Sequence, residues 1–163
     1  ALDEDLPPIF TAQLLNSAEE AVARLLTHPH SLVSLSDAGA HLTFFNDAGF
    51  GLHLMGHWSR ERGVMSLPEA VRRLTLQSAQ IFGLQGRGLL REGFAADLLL
   101  FDPATVGRAP TRRVHDLPGG AARLTTDALG VHGVWVNGRQ VANAQGLIDQ
   151  APLAGELLTE FAH

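Results

Sequence analysis

The sequence predicts an α/β fold in which a helix and a short buried strand precede an antiparallel β region. Residues 17–36 read as a helix, a proline-broken turn and an apolar strand, which together make half of a parallel α/β unit. From Gly86 onwards, glycine-rich turns alternate with strand-forming segments. Within that region Asn137-Gly138 is typical of a type I′ turn between two antiparallel strands.

The first elements follow from capping and periodicity. Ser17 and Glu20 have the spacing of a capping box, and apolar residues recur behind them at helical intervals. Pro29 should end this helix, because the residue before a proline is pushed out of the helical region. Residues 32–36 are then predicted to form a buried strand.

Two more helices are predicted before the β region. Residues 52–62 are compatible with a helix, and a second capping box over residues 66–69 opens another. In that second helix the apolar residues should face inward, whereas Arg72 and Arg73 should face outward. A last short helix should end at Gly83, which suits a left-handed cap.

The β region is predicted to contain three strands and one long irregular segment. Strands are expected over residues 96–102, 131–136 and 139–142. Residues 103–125 contain three prolines and are expected to be irregular. The change of character gives two predicted domains, residues 1–85 and residues 86–163.

The composition excludes several classes of function. Hydrophobic residues make up 45% and charged residues 18% of the 163 residues, which is enough for a packed core. A net charge of −5 argues against nucleic-acid binding, and the absence of cysteine excludes disulfides and thiolate metal sites. No apolar run has membrane-spanning length and no signal-peptide pattern is present, so we expect a cytoplasmic protein that binds no membrane.

Asp37 is the main candidate for chemistry. It follows the predicted strand directly, and in parallel α/β folds ligands bind at the C-terminal ends of strands. The next three residues, Ala-Gly-Ala, would let a ligand approach the backbone closely. The pattern leaves two interpretations open: an N-cap of the next turn, or a metal ligand or general base.

Six segments, in consistent order, resemble the C-terminal part of the D-aminoacylase-like amidohydrolases. These are SDAGAH, GHWSRERG, SLPEAVRRLT, GLQGRGLLREGFAADLLLFDP, DLPGGAARL and GVWVNGRQV. The resemblance implies a (β/α)₈ barrel that carries a small β-sandwich. Residues 32–36 would be the eighth barrel strand, residues 1–85 the C-terminal part of the barrel, and residues 86–163 a sandwich contribution and tail.

The resemblance also implies a reaction and a set of site residues. Asp37 matches the family's aspartate that binds a divalent metal, usually zinc, and serves as general base. Ser36, Gly39 and His41 would lie near the substrate or the metal ligands. The reaction would be hydrolysis of a non-peptide C–N bond in a small-molecule amide. The other metal ligands would belong to the N-terminal remainder of the same protein.

Other histidines could be mistaken for metal ligands. His28 and His30 form a His-x-His, but Asp37 follows His30 by seven steps of extended chain, about 23 Å at ~3.3 Å per residue. We therefore interpret this pair as a helix-terminating turn. His53 and His57 have helical metal-site spacing, but they lack the usual intervening glutamate.

The substrate and the alternatives remain open at this stage. Residues 42–56 contain no Arg or Lys, so a substrate carboxylate would have to be absent or be held by another part of the protein. The first residue is not Met, which suggests an excised piece. The alternatives to an enzyme portion are a non-catalytic binding or assembly module and a degenerate amidohydrolase relative. A homo-oligomer is compatible with each.

Overall fold

A computed structural model describes residues 16–43, 46–151, 153–159 and 161. The chain divides into two compact units, Ala1–Ser31 and Leu32–His163. The boundary between the predicted domains, after residue 85, remains a prediction. None of the helices within the described residues combines the length and the apolarity needed to cross a membrane.

The described part of the first unit is built around helix α1, Glu19–Thr27, which confirms the predicted helix. The predicted cap is wrong, because Ala18 is the N-cap, and Ser17 makes no capping hydrogen bond among the described residues. The helix ends before Pro29, as predicted. The backbone N–H of His30 donates to Nδ1 of His28 at 3.2 Å, so the two histidines form a closing turn.

The helices of the second unit form its buried core together with Val106. They are α2, Phe50–His53, which continues as a π-helix over Leu54–Glu61, then α3, Leu67–Leu74, and α4, Leu76–Ile81. The buried apolar side chains are Leu54, Met55, Trp58, Ala70, Ala79 and Val106. At α3 the second capping box is half formed, because Ser66 Oγ accepts from the Glu69 N–H at 3.3 Å.

The strands of the second unit form one sheet and two ladders, all antiparallel. The sheet has the order β1-β6-β7-β8, with β1 at Leu98–Phe101, β6 at Val131–Val136, β7 at Arg139–Asn143 and β8 at Gly146–Leu147. The ladders pair β2, Gly107–Arg108, with β5, Ala128–Leu129, and β3, Arg112–Leu117, with β4, Ala121–Thr125. Asn137 and Gly138 have φ of 48° and 76°, as a type I′ turn requires.

The expectation of an irregular segment over residues 103–125 is wrong, since β2, β3 and β4 lie within it. Its prolines stand outside these strands. Pro118 begins the turn Pro118–Gly120 that joins β3 to β4. Gly119 and Gly120 both have positive φ in that turn, so the Pro-Gly-Gly sequence makes a hairpin rather than a break.

The predicted strand over residues 32–36 is not formed. The backbone is irregular there, and both Leu35 and Asp37 adopt positive φ, of 74° and 51°. A strand needs a neighbour to satisfy its N–H and C=O groups, and no described strand pairs with this segment. The described residues therefore show helices and antiparallel strands, and a final barrel strand with a sandwich is not confirmed.

Candidate functional site

A cleft of about 290 Å³ opens beside the bend that carries Asp37. Its walls come from the residues after Asp37 and from strand β4 with its continuation. The backbone N–H of Leu124 donates to the carbonyl of Leu42 at 2.7 Å and joins the two walls. The lining residues are Ala38, Gly39, Leu42, Asn46, Ala48, Arg123, Leu124, Thr125 and Thr126.

Asp37 lies exposed on a left-handed bend. Its carbonyl accepts from the N–H of Ala40 at 3.1 Å, and Ser36 Oγ accepts from the N–H of Ala38 at 3.2 Å. The next helix among the described residues begins at Phe50, so Asp37 is not its N-cap. Asp37 instead opens the turn that its carbonyl closes to Ala40, and both interpretations left open above remain predictions.

The remaining predicted residues occupy the same loop, with different surroundings. Gly39 lines the cleft and has φ of 96°, and a Cβ at this position would meet no atom of the described residues within 4 Å. His41 is exposed. Ser36 uses its hydroxyl oxygen within the bend. Asp37 itself does not line the cleft, whereas Ala38 and Gly39 do.

Arg123 is the cleft residue that sequence reasoning missed. Its Nε donates to Asp116 Oδ1 and its Nη2 donates to Asp116 Oδ2, both at 2.7 Å across the β3–β4 hairpin. The guanidinium lowers the pKa of Asp116, and the carboxylate in turn raises the pKa of Arg123. The signal was present in DLPGGAARL, because a Pro-Gly-Gly turn would bring this Asp and Arg face to face.

Side-chain contacts hold both walls of the cleft in place. Asn46 Oδ1 accepts from the N–H of Ala48 at 3.1 Å, which shapes the wall next to the bend. Thr126 Oγ1 donates to the carbonyl of Ala109 at 2.7 Å on the opposite wall. Arg113 Nη2 donates to the carbonyl of Thr43 at 3.0 Å, a second link between hairpin and bend.

A second cleft, of about 230 Å³, lies along the π-helix and β2. His53 and His57 stack there with ring centroids 4.8 Å apart and planes 8° from parallel. His57 Nδ1 lies 3.1 Å from Glu61 Oε2. Desolvation of the ring, and then the neighbouring His57, lower the pKa of His53.

The described residues do not assemble a complete metal site. Within residues 16–43, 46–151, 153–159 and 161, no group of three or more His, Cys, Asp or Glu side chains could hold a metal ion. The stacking of His53 and His57 keeps this pair from sharing one ion, since lone pairs in two parallel ring planes do not converge on one point. Asp37 could contribute one oxygen ligand.

Comparison with known proteins shows which family and which relatives this chain resembles. The model of the amidohydrolase family matches residues 6–142, more than half of the chain. The D-aminoacylase of Alcaligenes xylosoxydans xylosoxydans is 39% identical over 109 residues, which cover 67% of this chain and 20% of that protein.

Two solved structures are also similar. One is the N-acyl-D-glutamate deacylase of Bordetella bronchiseptica, complexed with zinc and a phosphonate inhibitor that mimics the tetrahedral intermediate of the reaction. It aligns with a TM-score of 0.59 and 31% sequence identity, and the alignment covers 84% of this chain and 26% of that protein. A D-aminoacylase mutant in complex with copper chloride aligns with a TM-score of 0.53 and 33% identity, over 69% and 21%.

The chain thus spans about a fifth to a quarter of the length of these relatives. The matched family model and the relatives confirm the resemblance drawn from the sequence motifs. The chain belongs to the amidohydrolase family of hydrolytic enzymes, and within that family it is D-aminoacylase-like.

Proposed function

We propose that this chain is part of a metal-dependent amidohydrolase that hydrolyses the amide bond of N-acyl-D-amino acids. The observation that carries the proposal is Asp37 within SDAGAH, exposed on a bend whose next two residues line a cleft. Two relatives named for this substrate class, a D-aminoacylase and an N-acyl-D-glutamate deacylase, support it. The substrate would be a small molecule, and the bond a non-peptide C–N bond.

Asp37 would act as metal ligand and as general base. A divalent cation held there would polarise the amide carbonyl and acidify the attacking water. Zinc is the cation we propose, because the related N-acyl-D-glutamate deacylase was solved with zinc. The further ligands would come from parts of the protein outside this chain, since the described residues offer no group of three or more ligands.

The carboxylate of Asp37 would move one proton twice. It would first take the proton of the attacking water as that water adds to the amide carbon. It would then deliver the same proton to the nitrogen as the C–N bond breaks, releasing an amine and a carboxylic acid. The exposed bend leaves the carboxylate accessible for both transfers.

The second candidate is a binding or assembly module without catalysis, or a degenerate relative. One observation favours it, namely that the described residues contain no complete metal site. A catalytic role and a non-catalytic role differ in what replacing Asp37 does to turnover, so the same experiment separates the two candidates.

The test is Asp37→Asn in the intact, metal-loaded protein. This change keeps the size of the side chain and one ligand oxygen but removes the basic oxygen. Loss of general-base help is expected to lower kcat by about 10²–10⁴-fold, with a smaller change in KM. His28→Ala and His30→Ala are the controls, and they should leave kcat within a few-fold. Near-normal turnover of Asp37→Asn would contradict the proposal.

A further inference from the structure

We infer that Arg123 binds the free carboxylate of the substrate through the side of its guanidinium that faces away from Asp116. The inference rests on the proposed function and adds a specificity residue to it. It assigns carboxylate recognition to the β3–β4 hairpin rather than to the loop that follows Asp37.

The substrate class requires a cation that the loop after Asp37 does not supply. An N-acyl amino acid carries at least one carboxylate that the reaction leaves untouched. Residues 42–56 contain neither Arg nor Lys. Arg60, which follows, donates to the carbonyl of Val106 and to Glu61, and it lines the second cleft instead.

The position of Arg123 in the cleft also supports the assignment. Of the described residues that line the cleft beside Asp37, Arg123 is the cationic one. The opposite wall contains Ala38 and Gly39, the two residues that follow the proposed general base. A molecule in this cleft would therefore meet Arg123 on one side and the two residues that follow Asp37 on the other. Its volume of about 290 Å³ suits a small molecule.

Arg123 retains hydrogen-bond donors that Asp116 does not engage. Asp116 engages Nε and Nη2, and no described residue accepts a hydrogen bond from Nη1. A guanidinium has five N–H donors, so the pair leaves donors for a second carboxylate. The side chain is 37% exposed, so those donors are within reach of a ligand.

The pair with Asp116 also preorganises the guanidinium of Arg123 for binding. A bidentate Asp–Arg pair fixes the plane of the guanidinium before the substrate arrives, which reduces the side-chain entropy lost on binding. Asn46 and Thr125 line the same cleft and carry neutral donors for further substrate oxygens. Asp116 is thus a positioning residue for Arg123.

The experiment compares substrates with and without the carboxylate. The intact, metal-loaded protein is assayed for acetate release from a panel of N-acetyl-D-amino acids and from the primary amide of each. The protein with unchanged sequence should prefer the acids. Arg123→Gln should lower kcat/KM on the acids by about 10- to 100-fold, mainly through KM, with only a few-fold change on the amides.

Arg112→Gln is the matched control. Arg112 lies on the same hairpin and also pairs with an aspartate, Asp127, at 3.1 Å, but it does not line the cleft. This variant should keep the preference for acids. Arg123→Lys retains the charge without the fork and should recover part of the loss.

The outcomes separate the two proposals. If Arg123→Gln keeps the preference for acids, or loses acids and amides equally while Arg123→Lys does the same, the assignment of Arg123 is overturned. If the unchanged protein releases acetate from neither acids nor amides, the proposed function fails, and the assignment fails with it. Thermal unfolding of each variant shows whether the hairpin is intact.

Discussion

Glu69 accepts hydrogen bonds from two arginines of its own helix. Arg72 donates to both carboxylate oxygens at 2.7 and 2.8 Å, and Arg73 donates to Oε1 at 2.8 Å. These partners, Arg72 first, lower the pKa of Glu69 from its usual 4.5 to about 2. Because the folded-state pKa lies below the unfolded one, the stabilisation is complete above pH 4.5 and is lost as the pH falls towards 2.

We therefore expect Glu69→Gln to reduce the free energy of unfolding at pH 7 by about 1 kcal/mol. The expected loss is this small because the Glu69 side chain is one-third exposed, and water screens its interaction with the arginines. Thermal unfolding measured from pH 7 to pH 2 checks this. The difference between the two proteins should shrink below pH 4.5 and be small at pH 2. Glu92→Gln, an exposed glutamate in a turn, is the control, and a difference as large at pH 2 as at pH 7 would contradict the assignment.

Single residues also show what the sequence could and could not predict. A contiguous motif singled out Asp37, but the strand end expected at this position is an exposed bend instead. Arg73 was wrongly expected to face outward, yet only 8% of its side chain is exposed, because it reaches back one turn to Glu69. Arg123 is distant from Asp37 in the chain, so no periodicity could place it beside the bend.

At the level of elements, the π-helix packs its backbone directly against the segment that leads into β2. A Cβ on Gly56 would lie 2.7 Å from the carbonyl oxygen of Val106 and 3.0 Å from Cα of Gly107. Both neighbours are backbone atoms, so neither can move aside without shifting the strand. Gly56 therefore sets the distance between helix and strand.

Gly56→Ala should lower the free energy of unfolding by about 1–3 kcal/mol, although alanine alone would favour a helix by ~1 kcal/mol over glycine. Gly51→Ala is the matched control in the same helical segment. Its Cβ would make an ordinary contact, 3.5 Å from Leu74 Cδ1, so this change should be neutral or stabilising. Chemical denaturation of both variants checks the prediction, and equal effects at the two positions would contradict it.

Elements with local partners were predicted best. Strand β6 and its hairpin with β7 follow the predicted pattern closely, because the Asn137-Gly138 turn is itself a sequence signal. The strand expected over residues 32–36 has the same apolar character, but no described strand pairs with it. The apolar pattern indicated that this segment could be a strand, whereas its formation depends on a partner that the pattern does not specify.

For the molecule as a whole, the four-stranded sheet has an apolar edge at β1 that no other strand among the described residues covers. Strand β1 pairs with β6 on one side, and two of its residues, Leu99 and Leu100, are 42% and 54% exposed. An unpaired apolar edge is a template for pairing with another chain. We therefore expect the purified chain to self-associate.

Light scattering over a concentration series tests this expectation. Leu100→Lys should reduce association, because a charge on an edge strand opposes pairing. Leu90→Lys removes an apolar side chain that is 87% exposed but lies outside every strand, so it should have less effect. A monodisperse monomer of the unchanged chain at high concentration would count against the prediction.

The left-handed backbone at Asp37 decides how a mutational scan of this position must be interpreted. Aspartate and asparagine tolerate a φ of 51° better than most residues, whereas alanine there costs roughly 1 kcal/mol or more in backbone strain. Most substitutions at position 37 therefore disturb the backbone of the bend and also remove the carboxylate. A loss of function in such a scan combines these two effects. Asparagine keeps the shape and replaces one carboxylate oxygen with an uncharged NH₂ donor, so the comparison of Asp, Asn and Ala separates conformational from chemical loss.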